Sequence, residues 1–269
     1  MHFGLLIIGD EILSGKRADK HFSRAIELLG ARGLTVASAD YVGDDPDRIT
    51  AALIRAFSSG DVVFSFGGIG ATPDDHTRQC AARALGLPLV LHPQAAAFIR
   101  ERMQDVAREQ GVPFEPERDD NLHRLNMGMF PQGSAIIPNP YNKIAGFSYP
   151  GKEGGAVHFV PGFPVMAWPM VEWVLDNQYA HWFRKDAHCE QSVIVVGAME
   201  ATLTPLMEAI ERDHPVKVFS LPSVDHPEYG RHIELGVKGE PAACASAFAA
   251  LKDGLLPYAL KLGPELVRQ

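Results

Sequence analysis

Asp61-Val62-Val63-Phe64-Ser65-Phe66-Gly67-Gly68-Ile69-Gly70-Ala71-Thr72-Pro73-Asp74-Asp75-His76-Thr77 joins a largely apolar run to a cluster of glycines and then to residues that start helices. A run such as 61–66 is the mark of a strand buried on both faces, as in a parallel sheet covered by helices. The glycines at its end let the chain turn tightly and let backbone N–H groups approach a ligand. The spacing predicts that a helix opens at Thr72-Pro73 and carries Cys80, Ala81, Ala84 and Leu85 on its inner side.

The same alternation extends in both directions. Upstream, 3–9 is a strand, 19–31 an amphipathic helix pattern and 34–42 a strand; Asp45-Pro46 then reads as an N-cap with proline at the first helical position of a helix reaching Gly60. The chain as far as Leu85 therefore reads β-α-β-α-β-α. Downstream, the pattern predicts a helix at 93–110, a loop at 111–118, strands at 135–137, 145–149 and 156–160, and a helix at 164–184. A boundary is expected at 185–191. Beyond it come a strand at 192–196, a helix at 201–212, strands at 216–221 and 232–237, and an Ala-rich helix at 241–254. The expected architecture is a three-layer α/β/α domain with a mostly parallel sheet over 1–185, followed by a small α+β domain over 190–258.

Composition narrows the class. Hydrophobic residues make up 46% of the 269 and charged residues 22%, which excludes disorder, and no apolar run approaches the ~20 residues a bilayer span needs. Lys plus Arg is 25 and Asp plus Glu 33, a formal charge of −8 that is poorly suited to gripping nucleic acid. The apolar start meets Asp10 and Glu11 too early for a signal peptide, so a cytoplasmic protein is expected. Cys80, Cys189 and Cys244 are scattered and suggest neither disulfides nor a zinc knuckle; His181 and His188 lack a third ligand in register.

Ligands of open α/β sheets bind beyond the carboxyl ends of the strands, so Gly67, Gly68, Gly70 and Thr72 are candidates to cradle a phosphate with backbone donors. The spacing matches neither a dinucleotide fingerprint nor a P-loop. Asp74 and Asp75 would repel a phosphate unless a divalent cation, Mg²⁺ by its habit of taking few carboxylates plus phosphate oxygens, lay between them. The alternative is structural: Thr72 as N-cap and Asp75 at the third helical position form a capping box. Asp44 and Asp10 with Glu11 end two neighbouring strands on the same sheet edge, which makes Asp44 and Asp75 candidates for metal binding or water positioning. Asn139 and Lys143 in one turn, and Pro161 and Gly162 in another, are candidates to line the pocket, with Lys143 offering positive charge to an anion.

Gly9-Asp10-Glu11-Ile12-Leu13, Val42-Gly43-Asp44-Asp45, the 67–77 segment, Asn139-Pro140 and Pro161-Gly162-Phe163-Pro164 stand in an order that resembles the molybdopterin-binding (MoCF) domain family, and most closely its CinA-like members, over roughly residues 3–180. The small domain resembles the KH-like domain that follows in those proteins, although it is read as lacking a working G-x-x-G clamp, which with the net charge argues against nucleic-acid binding. The resemblance implies binding of molybdopterin or a related nucleotide diphosphate, adenylyl transfer or metal-dependent pyrophosphate hydrolysis, acidic active-site residues at Asp44 and Asp75, phosphate contacts at Gly67, Gly68 and Gly70, and self-association. A pyrophosphatase acting on a substrate such as ADP-ribose is the leading expectation; a non-catalytic pterin-binding module is the alternative. Departures from the family pattern are Phe66 in place of a threonine, Asn121-Leu122-His123-Arg124-Leu125, Asn142-Lys143-Ile144-Ala145-Gly146, and Met166 in place of a glutamate, with Lys143 and Arg124 as possible compensating cations.

Overall fold

The computed structural model describes residues 2–183 and 189–268 and divides into two compact units, Met1–Phe183 and Arg184–Gln269. The expected boundary at 185–191 falls partly outside the described residues, as does His188.

The larger unit runs β1 (Phe3–Ile8), α1 (Asp10–Leu13), α2 (His21–Gly30), β2 (Val36–Val42), α3 (Pro46–Ser58), β3 (Val62–Phe66), α4 (Thr77–Leu85), β4 (Leu89–Leu91), α5 (Pro93–Gln110), α6 (Asp119–Arg124), β5 (Met129–Pro131), β6 (Ala135–Ile137), β7 (Gly146–Pro150), β8 (Ala156–Val160) and α7 (Pro164–Gln178). Six strands form one sheet in the order β2-β1-β3-β8-β7-β6, parallel across β2, β1, β3 and β8 and antiparallel beyond. Alternation along β1 shows why helices cover both faces. Phe3, Leu5 and Ile7 pack with Leu28 and Leu29 of α2 and Met170 and Val174 of α7, whereas Leu6 and Ile8 pack with Leu53 of α3 and Ala81 of α4. The mostly parallel α/β/α architecture is as expected.

Local chemistry sets the element ends. The Asp45 carboxylate accepts from the Arg48 N–H at 2.8 Å with Pro46 at the first helical position, a cap of a kind worth about 1 kcal/mol. The expected helix start at Thr72 is not formed. Thr72 and Asp75 bond each other, the Asp75 N–H donating to the Thr72 carbonyl at 3.0 Å and the Asp75 carboxylate accepting from the Thr72 N–H at 2.8 Å, so they close a tight turn and α4 begins only at Thr77. The residues of a capping box can satisfy one another without a helix. The ribbon of β4 with β5, and the helix α6, were not foreseen.

The second unit is β9 (Cys189–Val196), α8 (Glu200–Asp213), β10 (Lys217–His226), β11 (Gly230–Gly239), α9 (Pro241–Leu255) and β12 (Lys261–Arg268). Its antiparallel sheet has the order β10-β11-β9-β12. The strand β12 lies past the expected end at 258 and pairs with β9. Gly236-Val237-Lys238-Gly239 does have the G-x-x-G spacing, which corrects the sequence reading; it lies inside β11, hydrogen-bonded on both sides, where it is no open clamp. Among the described residues no helix is long and apolar enough to cross a membrane.

Candidate functional site

The sheet register brings four strand ends into one row. Ile8 pairs with Val42, Ile7 with Phe66, and Phe66 with Val160, so the residues that follow (Gly9, Gly43, Gly67 and Pro161) all leave the sheet on the same edge. Strand order reverses between β1 and β3, where open α/β sheets form a ligand crevice. Gly67 sits there with φ 98°, its N–H donating to the Val160 carbonyl at 3.0 Å. A Cβ on Gly67 would lie 2.5 Å from the Ile8 carbonyl oxygen, and one on Gly162 would lie 3.4 Å from the Gly67 Cα. Gly67 and Gly162 are therefore brought together by close backbone packing.

The loop after Gly67 has a distinctive polarity. The Gly68 carbonyl accepts from the Thr77 N–H at 3.0 Å, which fixes that peptide against the start of α4. In a trans peptide the next N–H points the opposite way, so the Ile69 N–H is turned outward. The N–H groups of Gly68, Ile69, Gly70 and Ala71 donate to no protein acceptor among the described residues. Successive free N–H groups at a strand end form an anion-binding concavity. The Asp75 carboxylate backs this loop, its Oδ2 only 2.6 Å from where a Gly70 Cβ would sit, while the Thr72 hydroxyl donates to the same oxygen at 2.5 Å.

The acidic residues divide into two groups. Asp10 and Asp44 exchange main-chain bonds: the Asp10 N–H donates to Asp44 Oδ2 at 2.9 Å and the Asp44 N–H to Asp10 Oδ1 at 3.2 Å. Burial raises the Asp44 pKa above the usual carboxylate value, and the charges of Asp10, Glu11 and Asp74 add to the rise against the lowering effect of the Asp10 N–H bond. Asp74 contributes to the field at Asp44, and Asp75 bonds Thr72. No three His, Cys, Asp or Glu side chains form a ready metal cage among the described residues. The oxygen donors fit a hard cation that takes one or two carboxylates and fills its remaining positions with water and phosphate oxygens.

Because a raised carboxyl pKa means that the folded state favours the protonated form, the Asp44 charge opposes folding at pH 7 and this penalty is relieved as pH falls through its folded pKa. Asp44→Asn is therefore expected to melt higher than the wild type at pH 7, the difference shrinking on acidification; an equal or lower melting temperature would contradict the assigned electrostatics.

Other candidates have internal partners. The Lys143 ammonium, expected to meet an anion, is bound by Glu101 and Asp105 of α5, both at 2.6 Å. The Asn139 amide organises its own turn, donating to Asn142 Oδ1 at 2.8 Å and the Ile144 carbonyl at 2.9 Å and accepting from the Tyr141 N–H at 3.0 Å. Arg124, considered as a substitute cation, donates to Asn121 Oδ1 at 2.9 Å. The Phe66 ring is 2% exposed and stacks on His21 at 4.4 Å between centroids, on the core side of β3. The His21 Nε2 shares a 2.9 Å hydrogen bond with the Gly162 carbonyl, and burial pushes its pKa down.

Sequence reasoning did not single out Arg78, His76 and Asn126, which with the 72–75 turn and His123 of the departing 121–125 segment line a cavity of about 480 Å³ beside the glycine loop. These residues have no local signature; only the packing of α4 against the segment before β5 assembles them. A smaller cavity of about 110 Å³, lined by Gly4, Ser38 and Arg55, lies towards the other end of the strands.

Residues 4–181 match the family described as probable molybdopterin binding domain. A CinA-like protein of Anaeromyxobacter dehalogenans is 34% identical over 178 residues, 66% of this chain and 41% of that protein. A CinA-like protein of Geobacter metallireducens is 29% identical over 274 residues, 99% of this chain and 61% of that protein. The chain thus spans less than two thirds of the length of either relative. Among solved structures, "the protein CinA with unknown function" from Thermoplasma acidophilum is similar with a TM-score of 0.54 and 25% identity, over 65% of this chain and 96% of that one.

Proposed function

Because the chain belongs to the family of probable molybdopterin binding domains, we propose that its larger unit binds molybdopterin or a related nucleotide diphosphate by its phosphates at the 67–72 loop, and that it cleaves the pyrophosphate of such a ligand with a divalent cation. The observation that carries the reading is the row of four successive N–H groups, Gly68 to Ala71, without protein acceptors at the carboxyl end of β3. Donors held in this way need no reorganisation when negative charge develops on the phosphate.

Mg²⁺ or a similar cation, held by Asp44 with Asp10 or Asp74, would neutralise charge between carboxylates and phosphate oxygens and polarise the phosphate for attack. The chain's own residues carry the remaining roles. In this reading Asp44 would hold the cation or orient the attacking water, and Asp75 keeps the loop in shape through Thr72 and Gly70. A second reading, pterin binding without cleavage, is favoured by the engagement of Lys143 and Arg124 with internal partners.

Incubation with ADP-ribose and Mg²⁺ or Co²⁺, followed by release of AMP, separates the two. Under the first reading the protein turns over and Asp44→Asn loses about 100-fold or more in kcat. Tight binding of the nucleotide by calorimetry with no product supports the binding module. Turnover that survives both Asp44→Asn and Asp75→Asn removes these residues from the mechanism. Self-association and a cytoplasmic location belong to the same proposal, and light scattering tests the first of them.

A further inference from the structure

Among the described residues, Arg78 is the only permanently charged side chain that is buried, at 4% exposed. It makes no ion pair: its Nη2 donates to the Gly70 carbonyl at 2.5 Å, its Nη1 to the Asn126 carbonyl, and its buried Nε has no partner. Burial works against its charge, and the field of Asp75 is what supports it. A buried cation without a salt-bridge partner is unfavourable unless something nearby compensates it.

The geometry of the two bonds shows what that charge does. Gly70 lies within the free N–H row, and no peptide bond among the described residues is cis. Holding the Gly70 carbonyl against the guanidinium therefore turns the Ala71 N–H to the opposite side, as the Thr77 N–H does for Gly68 and Ile69. The bond to Asn126 anchors the same guanidinium in the Leu125–Gly128 turn that leads into β5, so a single side chain ties the glycine loop to a segment nearly 50 residues away in sequence. Lysine cannot reproduce this planar, forked attachment.

We infer that Arg78 is the positioning residue of the anion loop: held against the Gly70 carbonyl, it fixes the peptide that presents the Ala71 N–H, on the other side, to the phosphate group that the loop binds. This rests on the anion-binding reading of the loop and adds to it a cation that no sequence motif marks. The ligand the positioned loop would take is a phosphate or pyrophosphate group, bound through the N–H row.

Two measurements on ¹⁵N-labelled wild type, Arg78→Met and Arg78→Lys test the inference. In the ligand-free protein, the Ala71 amide resonance should move in both variants. Titration with inorganic pyrophosphate should show affinity at least 10-fold lower in Arg78→Met, and a smaller loss in Arg78→Lys that grows with salt, because the charge is kept and the fork is lost. A merely structural arginine would give no such split between the variants. An unmoved Ala71 resonance, or wild-type affinity in either variant, overturns the proposal. If Arg78→Met does not fold, Arg78→Lys carries both measurements. If the wild type itself binds no pyrophosphate, the anion-binding reading fails on its own, and the Ala71 resonance still decides whether Arg78 sets the loop.

Discussion

Gly67→Ala is expected to destabilise the larger unit by about 2–5 kcal/mol, whereas Gly86→Ala should cost only about 1 kcal/mol. Both glycines have positive φ, 98° and 66°, so both substitutions carry a conformational penalty. The difference lies in what the new methyl meets. At Gly86 nothing lies within 4 Å, but at Gly67 the Ile8 carbonyl oxygen is 2.5 Å away and belongs to a strand fixed between β2 and β3. A backbone carbonyl in the middle of a sheet cannot swing aside as a side-chain tip can, so the loop must leave the crevice or β1 must move. Gly68→Ala, with φ 69°, meets the buried Thr77 Oγ1 and should resemble Gly67→Ala. Urea midpoints followed by the fluorescence of Trp168 and Trp173 would measure all three, and equal losses at Gly67 and Gly86 would refute the role given to close packing. The consequence for function is that these glycines are held in place by the fold as well as by any ligand: a variant that relieves the contact by moving the loop also scatters the N–H row.

That dual role explains which parts of the molecule could be read from the sequence. Strands β1, β3 and β8 announce themselves as runs that are almost wholly apolar because both their faces are covered, and α3 and α5 because Pro46 and Pro93 mark their first turns. The strand β12 has no such signal. It is an edge strand, exposed along most of its length and interrupted by Gly263-Pro264, and what makes it a strand is its pairing with β9. The turn at 72–75 misled for the opposite reason, since its residues satisfy a helix-start pattern and each other equally well. In the candidate site, the residue types at the strand ends were legible but their partners were not. Lys143 looks like a cation free for a ligand until α5 places Glu101 and Asp105, one helical turn apart, beside it. Arg78 looks like an ordinary helix-surface residue until the glycine loop and the segment before β5 close over it. Charge in a sequence is local; its neutralisation is tertiary.

The second large effect is expected under acid. His158 on β8 is fully buried, its Nδ1 2.7 Å from Ser148 Oγ and its Nε2 2.7 Å from the Tyr179 hydroxyl, and burial pushes its pKa down to about 3 from 6.5. The ring is therefore neutral in the folded protein, one nitrogen donating and the other accepting. The unfolded chain takes up a proton below pH 6.5 that the folded chain refuses until about pH 3, so the unfolded state binds more protons across that window. Stability contributed by this site is complete above pH 6.5 and falls by about 1.4 kcal/mol for each unit of acidification below it, roughly 2.7 kcal/mol by pH 4.5. Carboxylates contribute to the acid response as well, and a variant without the imidazole isolates the share of His158. His158→Gln, whose amide can still bond Ser148 and Tyr179, should be less stable than wild type at pH 7.5 and lose less between pH 6.5 and 4.5, so that the two converge. Denaturant midpoints at matched pH values test this, and parallel curves for the two proteins would show that His158 is protonated in the fold. The effect reaches the site through β8, because the strand that buries His158 ends at Val160, whose carbonyl holds the Gly67 N–H, and leads into Gly162, whose backbone packs on Gly67. Acid that loosens β8 should therefore disturb the glycine loop together with the α2 side of the sheet, where Tyr179 packs, and the Gly67 and Gly68 amide resonances should shift as helical signal is lost in an acid titration.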